Sequence, residues 1–276
     1  MAAVNLPDVS LAYGVRGLGS DVTLLHGFAQ SRESWRELAD SIETRHRCLT
    51  PDLRGHGATR ADAGAPHTVA ACANDVVAMW DRLGTERSHL VGYSMGGRLA
   101  LHMATEYSGR LLSLTVISAH AGLEDEERAR RQTEDEDLAR RIESLGIEWF
   151  AAHWGALPLF ASLAQRRPDL AAALSERRLA NDPAGLAASL RGMGAGAMLP
   201  FWDALPRVAC PTLLIAGADD ARYVAFAEQL GAALPDARVE IVRNAGHAVQ
   251  VEQPAVVARL LADFHRDVDG AVERPL

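Results

Sequence analysis

The chain has 276 residues, of which 48% are hydrophobic and 23% are charged, and its formal net charge is −8. This length and composition are typical of one large globular α/β domain, with or without an insertion. The acidic balance argues against polyanionic partners, so we expect neither nucleic acid nor a membrane surface as a partner. All 28 basic residues are arginines, which excludes Schiff-base, pyridoxal phosphate and P-loop chemistry, since each needs a lysine amine.

The beginning of the sequence and the cysteine pattern favour a cytoplasmic protein. Residues 1–10 carry neither the basic nor the apolar segment of a secretory signal. No apolar run approaches the roughly 18 residues that a membrane span requires. Cys48, Cys72 and Cys210 are far apart and form no CxxC motif. We therefore expect buried, reduced thiols, no disulfide framework, no metal site and no cofactor.

Short β-branched runs alternate with segments of helical period along most of the chain. One or two antiparallel lead-in strands are predicted around residues 9–15, and the later candidate strands are residues 22–25, 48–53, 89–92, 112–118, 212–216 and 239–243. The candidate helices between them are residues 33–42, 69–83, 95–107, 223–234 and 255–264. This alternation predicts an α/β fold with a mostly parallel sheet of about eight strands and helices on both faces.

One interval interrupts this alternation, because no strand pattern occurs between residues 118 and 211. The interval is rich in Ala, Leu and Arg, has a helical period, and is broken at Pro158, Pro168 and Pro183. A helical insertion between two parallel strands lies over the carboxyl edge of the sheet, where such sheets bind ligands. We therefore predict a core formed by residues 1–118 and 206–276, and a helical cap insertion formed by residues 119–205.

The motif G-x-S-x-G occurs once where a predicted strand meets a predicted helix, as Gly92-Tyr93-Ser94-Met95-Gly96. A reversal this sharp forces the central residue into a strained backbone conformation and raises its hydroxyl above the sheet. The start of the following helix favours developing negative charge at that point. The motif therefore predicts a nucleophile elbow with Ser94 as the reactive residue.

Three other segments place suitable partners at the same edge of the sheet. After an early strand, the run Leu24-Leu25-His26-Gly27-Phe28 allows the backbone N–H of Phe28 to join that of Met95 in an oxyanion hole. Asp219 and Asp220 follow the strand at 212–216, and His247 follows the last strand. The order serine, acid, histidine predicts a catalytic triad of Ser94, Asp220 and His247, with Asp219 as the competing carboxylate.

These segments, together with Asp52-Leu53-Arg54-Gly55-His56-Gly57, resemble α/β-hydrolase-fold enzymes over nearly the whole chain. The resemblance implies the α/β-hydrolase fold, and the spacing of the family selects Asp220 over Asp219 as the acid. The segment at 52–57 is a structural signature of the family, to which we assign no chemical role.

A narrower resemblance lies in the elbow and in the predicted cap. The elbow continues to Arg98, and the cap contains the segments ARRQ at 129–132, HW at 153–154, PLF at 158–160, RLAN at 178–181 and SLRGMG at 189–194. This set is similar to the 2-succinyl-6-hydroxy-2,4-cyclohexadiene-1-carboxylate synthases of menaquinone biosynthesis. The resemblance implies a metal-free lyase that eliminates pyruvate from a polycarboxylate. It also implies substrate-binding roles for Tyr93, Arg98, Arg131, Trp154 and Arg178.

An anionic small-molecule substrate agrees with these arginines, because a guanidinium holds a carboxylate through paired hydrogen bonds. We predict that Arg98, Arg131 and Arg178 converge on a cavity above Ser94, and that most other cap arginines are solvated and ion-paired. A carboxylesterase or lactonase acting through an acyl-enzyme on Ser94 is the main alternative, since the same triad serves acyl transfer. A carbon–carbon bond hydrolase and a binding protein with a vestigial site are further alternatives.

Overall fold

A nine-stranded sheet is the centre of the molecule, for which a computed structural model describes residues 2–272. The strands are β1 (Ala2–Asn5), β2 (Val9–Arg16), β3 (Ser20–Leu25), β4 (His46–Pro51), β5 (Arg60–Ala61), β6 (Ser88–Tyr93), β7 (Leu111–Ile117), β8 (Thr212–Gly217) and β9 (Ala237–Val242). Their order is β1-β2-β4-β3-β6-β7-β8-β9, and the two-residue β5 pairs with β2. Strand β2 is antiparallel to β1, β4 and β5. The remaining neighbours are parallel, namely β4 with β3, β3 with β6, β6 with β7, β7 with β8 and β8 with β9. The predicted mostly parallel sheet is confirmed.

Helices cover both faces of this sheet. They are α1 (Arg36–Ile42), α2 (Val69–Leu83), α3 (Met95–Glu106), α4 (Asp125–Gly155), α5 (Ala161–Arg166), α6 (Pro168–Arg178), α7 (Pro183–Met193), α8 (Ala221–Ala233), α9 (Val249–Glu252) and α10 (Pro254–Val272). On one face α2, α3 and α8 bury Trp80, Leu99 and Leu230 in one apolar cluster. On the other face α1 and α10 bury Leu38 and Leu261 in a second cluster. Within residues 2–272, no helix combines the length and the apolarity needed to cross a membrane.

The two ends of the chain differ most from the predicted elements. The lead-in region forms two strands, and β1 begins at Ala2, before the region that the pattern had marked. Helix α10 continues well past residue 264, where the sequence prediction ended it. In the sequence, the polar run His265-Arg266-Asp267 indicates the end of the apolar face. In the structure the buried face continues, since His265 and Val268 are buried while Arg266 is exposed. A histidine on the buried face of a helix interrupts the apolar periodicity of the sequence, although the helix itself continues.

Between β7 and β8 the chain forms the four helices α4 to α7. Helix α4 is kinked at Gly146, where φ is 83°, while α6 and α7 begin with a proline, as helix starts tolerate. Phe150, Leu186 and Leu190 form an apolar cluster that also includes Ala29, in the loop after β3. These contacts hold the helices against the carboxyl ends of the strands, and we propose that residues 119–205 act as a cap insertion.

Buried ion pairs hold the loop after β4, which contains the segment at residues 52–57. Arg54 pairs with Asp75 of α2 (Nε to Oδ2, 2.6 Å) and with Asp8 (Nη2 to Oδ1, 2.8 Å). Asp52 accepts a hydrogen bond from the guanidinium of Arg32 (2.5 Å) and another from the backbone N–H of Ala58 (2.9 Å). These contacts support our interpretation of the segment as structural.

Removing the buried partner of Arg54 should destabilise the protein more than removing the exposed one. The side chains of Arg54 and Asp75 are each 4% exposed, whereas that of Asp8 is 38% exposed. We expect Asp75→Ala to lower the free energy of unfolding by about 3–5 kcal/mol, because it leaves a buried guanidinium with a half-exposed aspartate as its remaining carboxylate partner. Asp8→Ala should cost much less. Urea unfolding followed by circular dichroism measures both, and equal losses would contradict this account.

Candidate active site

The predicted nucleophile elbow is present as a one-residue connection between β6 and α3. Ser94 stands between them with φ 52° and ψ −111°, a conformation that residues with a side chain rarely adopt. Its backbone N–H donates to the carbonyl of Ile117 in β7 (2.9 Å), which fixes the turn against the neighbouring strand. The strain is local and is held in place by the sheet.

The glycines of the motif are required by close backbone contacts. A Cβ on Gly92 would lie 2.2 Å from the carbonyl oxygen of Gly96, and a Cβ on Gly96 would lie 2.2 Å from that of Leu25. Neither position accommodates a side chain. The motif therefore allows strand β3, the elbow and the first turn of α3 to approach one another closely.

The three residues of the predicted triad meet at hydrogen-bonding distances. His247 Nε2 lies 3.1 Å from Ser94 Oγ, and His247 Nδ1 lies 2.9 Å from Asp220 Oδ2. The side chain of His247 is 1% exposed and that of Asp220 is 11% exposed. Asp219 points elsewhere and pairs with Arg166 of α5. This arrangement can activate a hydroxyl: the imidazole is placed as a base, and the carboxylate fixes its orientation.

A polar network links α5 to the two loops that carry Asp220 and His247. Arg166 contacts both Asp219 and Ser162, and Ser162 donates a hydrogen bond to Glu252. The other carboxylate oxygen of Glu252 accepts from the backbone N–H of Gly246 (3.0 Å), next to His247. Sequence analysis did not anticipate this network, because its members come from three separate segments.

Phe28 and Met95, the residues of the predicted oxyanion hole, line the cavity described below together with Ser94. Met95 is the first residue of α3, where a backbone N–H has no acceptor within its helix. A Cβ on Gly27 would lie 2.8 Å from the ring of Tyr93, so the loop after β3 needs a glycine to reach the elbow. The N–H groups of these two residues remain the candidates for holding an oxyanion.

A cavity of about 390 Å³ adjoins Ser94 and His247, a volume suited to a small molecule. Of the predicted site residues it is lined by Phe28, Ser94, Met95, Arg98, Arg131, Trp154 and His247. Four arginines and two glutamates line it altogether. The lining thus carries a positive excess in a chain whose formal net charge is −8.

Arg98 is a buried cation at this cavity. The residue is 9% exposed, and its Nη1 has no hydrogen-bond partner within the part of the chain that the structure describes. Burial lowers the pKa of Arg98 to about 10, which still leaves the guanidinium charged at neutral pH. Arg131, by contrast, is half-exposed and paired with Asp135 (Nε to Oδ1, 2.8 Å).

Tyr93 and Arg178 are buried near the triad but do not line the cavity. The guanidinium of Arg178 lies 5.4 Å from the ring centroid of Phe160, and it donates to Ser175 Oγ (3.1 Å). The ring centroid of Tyr93 lies 5.4 Å from that of His247. Of the three arginines predicted to converge on the cavity, Arg98 and Arg131 line it. Arg178 lies outside the lining, over the ring of Phe160.

Sequence analysis missed six polar residues of the lining, which are His120, Glu127, Arg130, Glu134, Arg222 and Tyr223. Tyr223 lies against His247 with ring centroids 4.4 Å apart, and Arg222 pairs with Glu127 of α4. Both follow Asp220 within the first turn of α8, and this position next to the predicted acid is the signal that could have found them. His120 Nδ1 accepts from the N–H of Gly122 (3.1 Å), and burial holds the pKa of His120 well below its usual value.

Comparison with known proteins agrees with this fold. Residues 22–254 match the model of the alpha/beta hydrolase fold family, and the chain belongs to that family. A putative 2-succinyl-6-hydroxy-2,4-cyclohexadiene-1-carboxylate synthase of Bacillus subtilis (strain 168) is 37% identical over 274 residues, which cover 96% of this chain and 98% of that protein. The narrower resemblance is thereby confirmed.

Solved structures show the same architecture. MenH from S. aureus superposes with a TM-score of 0.89 at 24% identity, over 96% of this chain and 100% of that one. A thermophilic esterase from Thermogutta terrifontis superposes with a TM-score of 0.86 at 28% identity, over 96% of this chain and 97% of that one. The relatives named here are a synthase and an esterase by description, which supports an enzyme.

Proposed function

We propose that this chain is a lyase of menaquinone biosynthesis. It eliminates pyruvate from a polycarboxylate intermediate and yields 2-succinyl-6-hydroxy-2,4-cyclohexadiene-1-carboxylate. The observation that carries the proposal is the buried, incompletely hydrogen-bonded guanidinium of Arg98 on the cavity beside Ser94. The 37% identity to the Bacillus subtilis relative supports the same reaction.

The charge of Arg98 favours an anionic ligand in the cavity. A buried cation without a carboxylate partner is costly, and a bound anion would offset that cost. Arg98 forms no ion pair with any residue between 2 and 272, so a substrate carboxylate is the missing partner. Arg131 or Arg222 binds a second carboxylate of the substrate. Asp135 holds Arg131 in place at the cavity wall, and Glu127 holds Arg222.

The elimination needs a base, an acceptor for developing charge and a proton for the leaving group. His247 takes the proton of Ser94 Oγ, and Ser94 Oγ then removes a proton from a carbon of the substrate. The electron pair moves into the substrate as enolate-like charge, which the N–H groups of Phe28 and Met95 stabilise by donating hydrogen bonds to it. The carbon–oxygen bond to the leaving pyruvate breaks as the new double bond forms, and the imidazolium of His247 returns its proton to the leaving group. No acyl-enzyme forms.

The similarity to the Thermogutta esterase favours a carboxylesterase or lactonase as the second candidate. In that reaction Ser94 Oγ attacks a carbonyl carbon and forms an acyl-enzyme, with the same histidine and oxyanion hole. The two functions differ in what they require of the cavity. A neutral ester has no use for a buried guanidinium and favours an apolar lining.

Replacing Arg98 therefore separates the two functions. We expect Arg98→Ala to lower kcat/KM for the polycarboxylate intermediate by about 10- to 150-fold, or about 1.5–3 kcal/mol, because a charged hydrogen bond to the substrate is lost. Hydrolysis of a neutral aryl ester should change little. Pyruvate release, coupled to lactate dehydrogenase, measures the first reaction, and chromophore release measures the second.

Arg141→Ala is the matched control, since Arg141 lies over Trp149 on α4 and is absent from the cavity lining. Both activities should remain near those of the unaltered protein in this variant. Equal losses of both activities in Arg98→Ala would contradict the role of Arg98. Ester hydrolysis without any pyruvate release would replace the lyase by the esterase.

A further inference from the structure

Three buried histidines cluster at the edge of the sheet opposite Ser94. His46 begins β4, His89 is the second residue of β6, and His265 lies on α10. They are 5%, 0% and 1% exposed, and one ring nitrogen of each lies within 4.8 Å of those of the other two. Five residues of extended chain, about 16 Å, separate His89 from Ser94, so this cluster is remote from the proposed active site.

Serine hydroxyls orient two of these rings. Ser20 Oγ lies 2.8 Å from His46 Nδ1 and donates to Asp269 Oδ2 (3.4 Å). In the tautomer in which Ser20 Oγ accepts from the Nδ1–H of His46, Nε2 of that ring has a free lone pair. Ser113 Oγ lies 2.8 Å from His89 Nδ1 and can accept a hydrogen bond in the same way. An imidazole whose Nδ1–H is held by an oxygen while Nε2 faces inward is the usual arrangement of a metal ligand.

The distances inside the cluster suit a small cation. His46 Nε2 lies 3.4 Å from His265 Nδ1, and His89 Nε2 lies 3.0 Å from Asp269 Oδ1. Two ligand atoms around a tetrahedral zinc ion are about 3.3 Å apart, since each bond is about 2.0–2.1 Å. His265 and Asp269 are four residues apart on α10, so both project from one face of that helix. Three imidazole nitrogens are thus brought together from β4, β6 and α10, and the carboxylate of Asp269 lies beside one of them, His89 Nε2.

We propose that His46, His89, His265 and Asp269 form a binding site for a divalent transition-metal ion of the zinc type. Nitrogen ligands with one carboxylate suit zinc and cobalt rather than magnesium or calcium. The side chain of Asp269 is 36% exposed, and this gives the ion a route from solvent.

Binding requires one change in the cluster. The rings of His89 and His265 stack with centroids 4.0 Å apart. Because nitrogen lone pairs lie in the plane of the ring, two stacked rings cannot both coordinate one ion until one of them rotates. His265 is the ring that turns, because its Nε2 has no hydrogen-bond partner among residues 2–272 and its Nδ1 contact is long. The bound ion then connects the C-terminal helix to two strands of the sheet, and its role is structural.

A cobalt and zinc titration tests the site. The tag-free protein is treated with a chelator, dialysed and titrated with Co²⁺, and then with Zn²⁺. We expect one Co²⁺ per chain, a visible absorption spectrum of tetrahedral cobalt that Zn²⁺ abolishes, and a Tm that rises with the metal concentration. The variants His265→Gln and Asp269→Asn should lose both the spectrum and the rise in Tm.

Two control variants replace histidines outside the cluster. His102→Gln removes a half-buried histidine of α3, and His247→Gln removes the other histidine that is paired with an aspartate. Both should keep the full metal response. A response that persists in Asp269→Asn, or no response in the unaltered protein, overturns the site. If His265→Gln does not fold, Asp269→Asn decides alone, because it alters only a partly exposed side chain.

Discussion

Ser94→Ala is expected to lower the turnover of the polycarboxylate intermediate by about 10³- to 10⁶-fold, the range seen when the reactive serine of a triad is removed. In the proposed mechanism His247 deprotonates this hydroxyl, and alanine offers no replacement. The fold should be unchanged, because alanine has the same Cβ as serine at this strained φ of 52°. Pyruvate release measures turnover, and thermal unfolding measures the fold.

Ser118→Ala is a matched control for this variant. Ser118 also has a positive φ, of 50°, and it follows the neighbouring strand β7. Its buried hydroxyl has no hydrogen-bond partner in the described chain, and it is absent from the cavity lining. Turnover should therefore be close to that of the unaltered protein. Near-normal turnover in Ser94→Ala would remove Ser94 from the proposed mechanism.

Asp220→Asn should lower turnover by about 10⁴-fold, as the corresponding change does in serine proteases. An amide in place of the carboxylate can donate to Nδ1 of His247, and this reverses the tautomer that places a lone pair toward Ser94. Asp219→Asn is a closely matched control, since the two residues are adjacent and Asp219 pairs with Arg166 instead. We expect it to change turnover by only a few-fold.

The two aspartate variants are compared by kcat and by thermal unfolding under the same conditions. A large loss in Asp219→Asn together with a small loss in Asp220→Asn would reverse the assignment of the acid. Large losses in both, with unchanged Tm, would indicate that the link between Asp219 and Arg166 positions the catalytic loop. Either result would leave the role of Ser94 untouched.

The elbow and the triad geometry were predictable because short segments encode them. Gly92 and Gly96 are required by contacts within a few residues of Ser94 and with the adjacent strand β3. Asp220 and His247 each follow a strand of the parallel sheet directly, and the carboxyl ends of such strands meet at one edge. Local pattern and strand order together were therefore sufficient.

The cavity wall and the histidine cluster were not predictable, because they depend on how distant elements pack. His46 and His89 become neighbours only because β3 lies between β4 and β6, and His265 joins them only because α10 covers that edge. The position of Arg178 likewise depends on the packing of Phe160 against it. Helical period predicts that a residue lies on a helix, but not which neighbour its face meets.

The polar network around Glu252 distinguishes two helical segments near the cavity, which we expect to tolerate substitution differently. Helix α5 is bonded to the loops that carry Asp220 and His247, so we expect substitutions there to disturb the proposed triad. The first half of α4, before the kink at Gly146, supplies Glu127, Arg130, Arg131 and Glu134 to the cavity and contacts neither catalytic loop through that network. A new substrate specificity can therefore arise from changes in the first half of α4 while the triad is preserved, which suits a fold that serves many reactions.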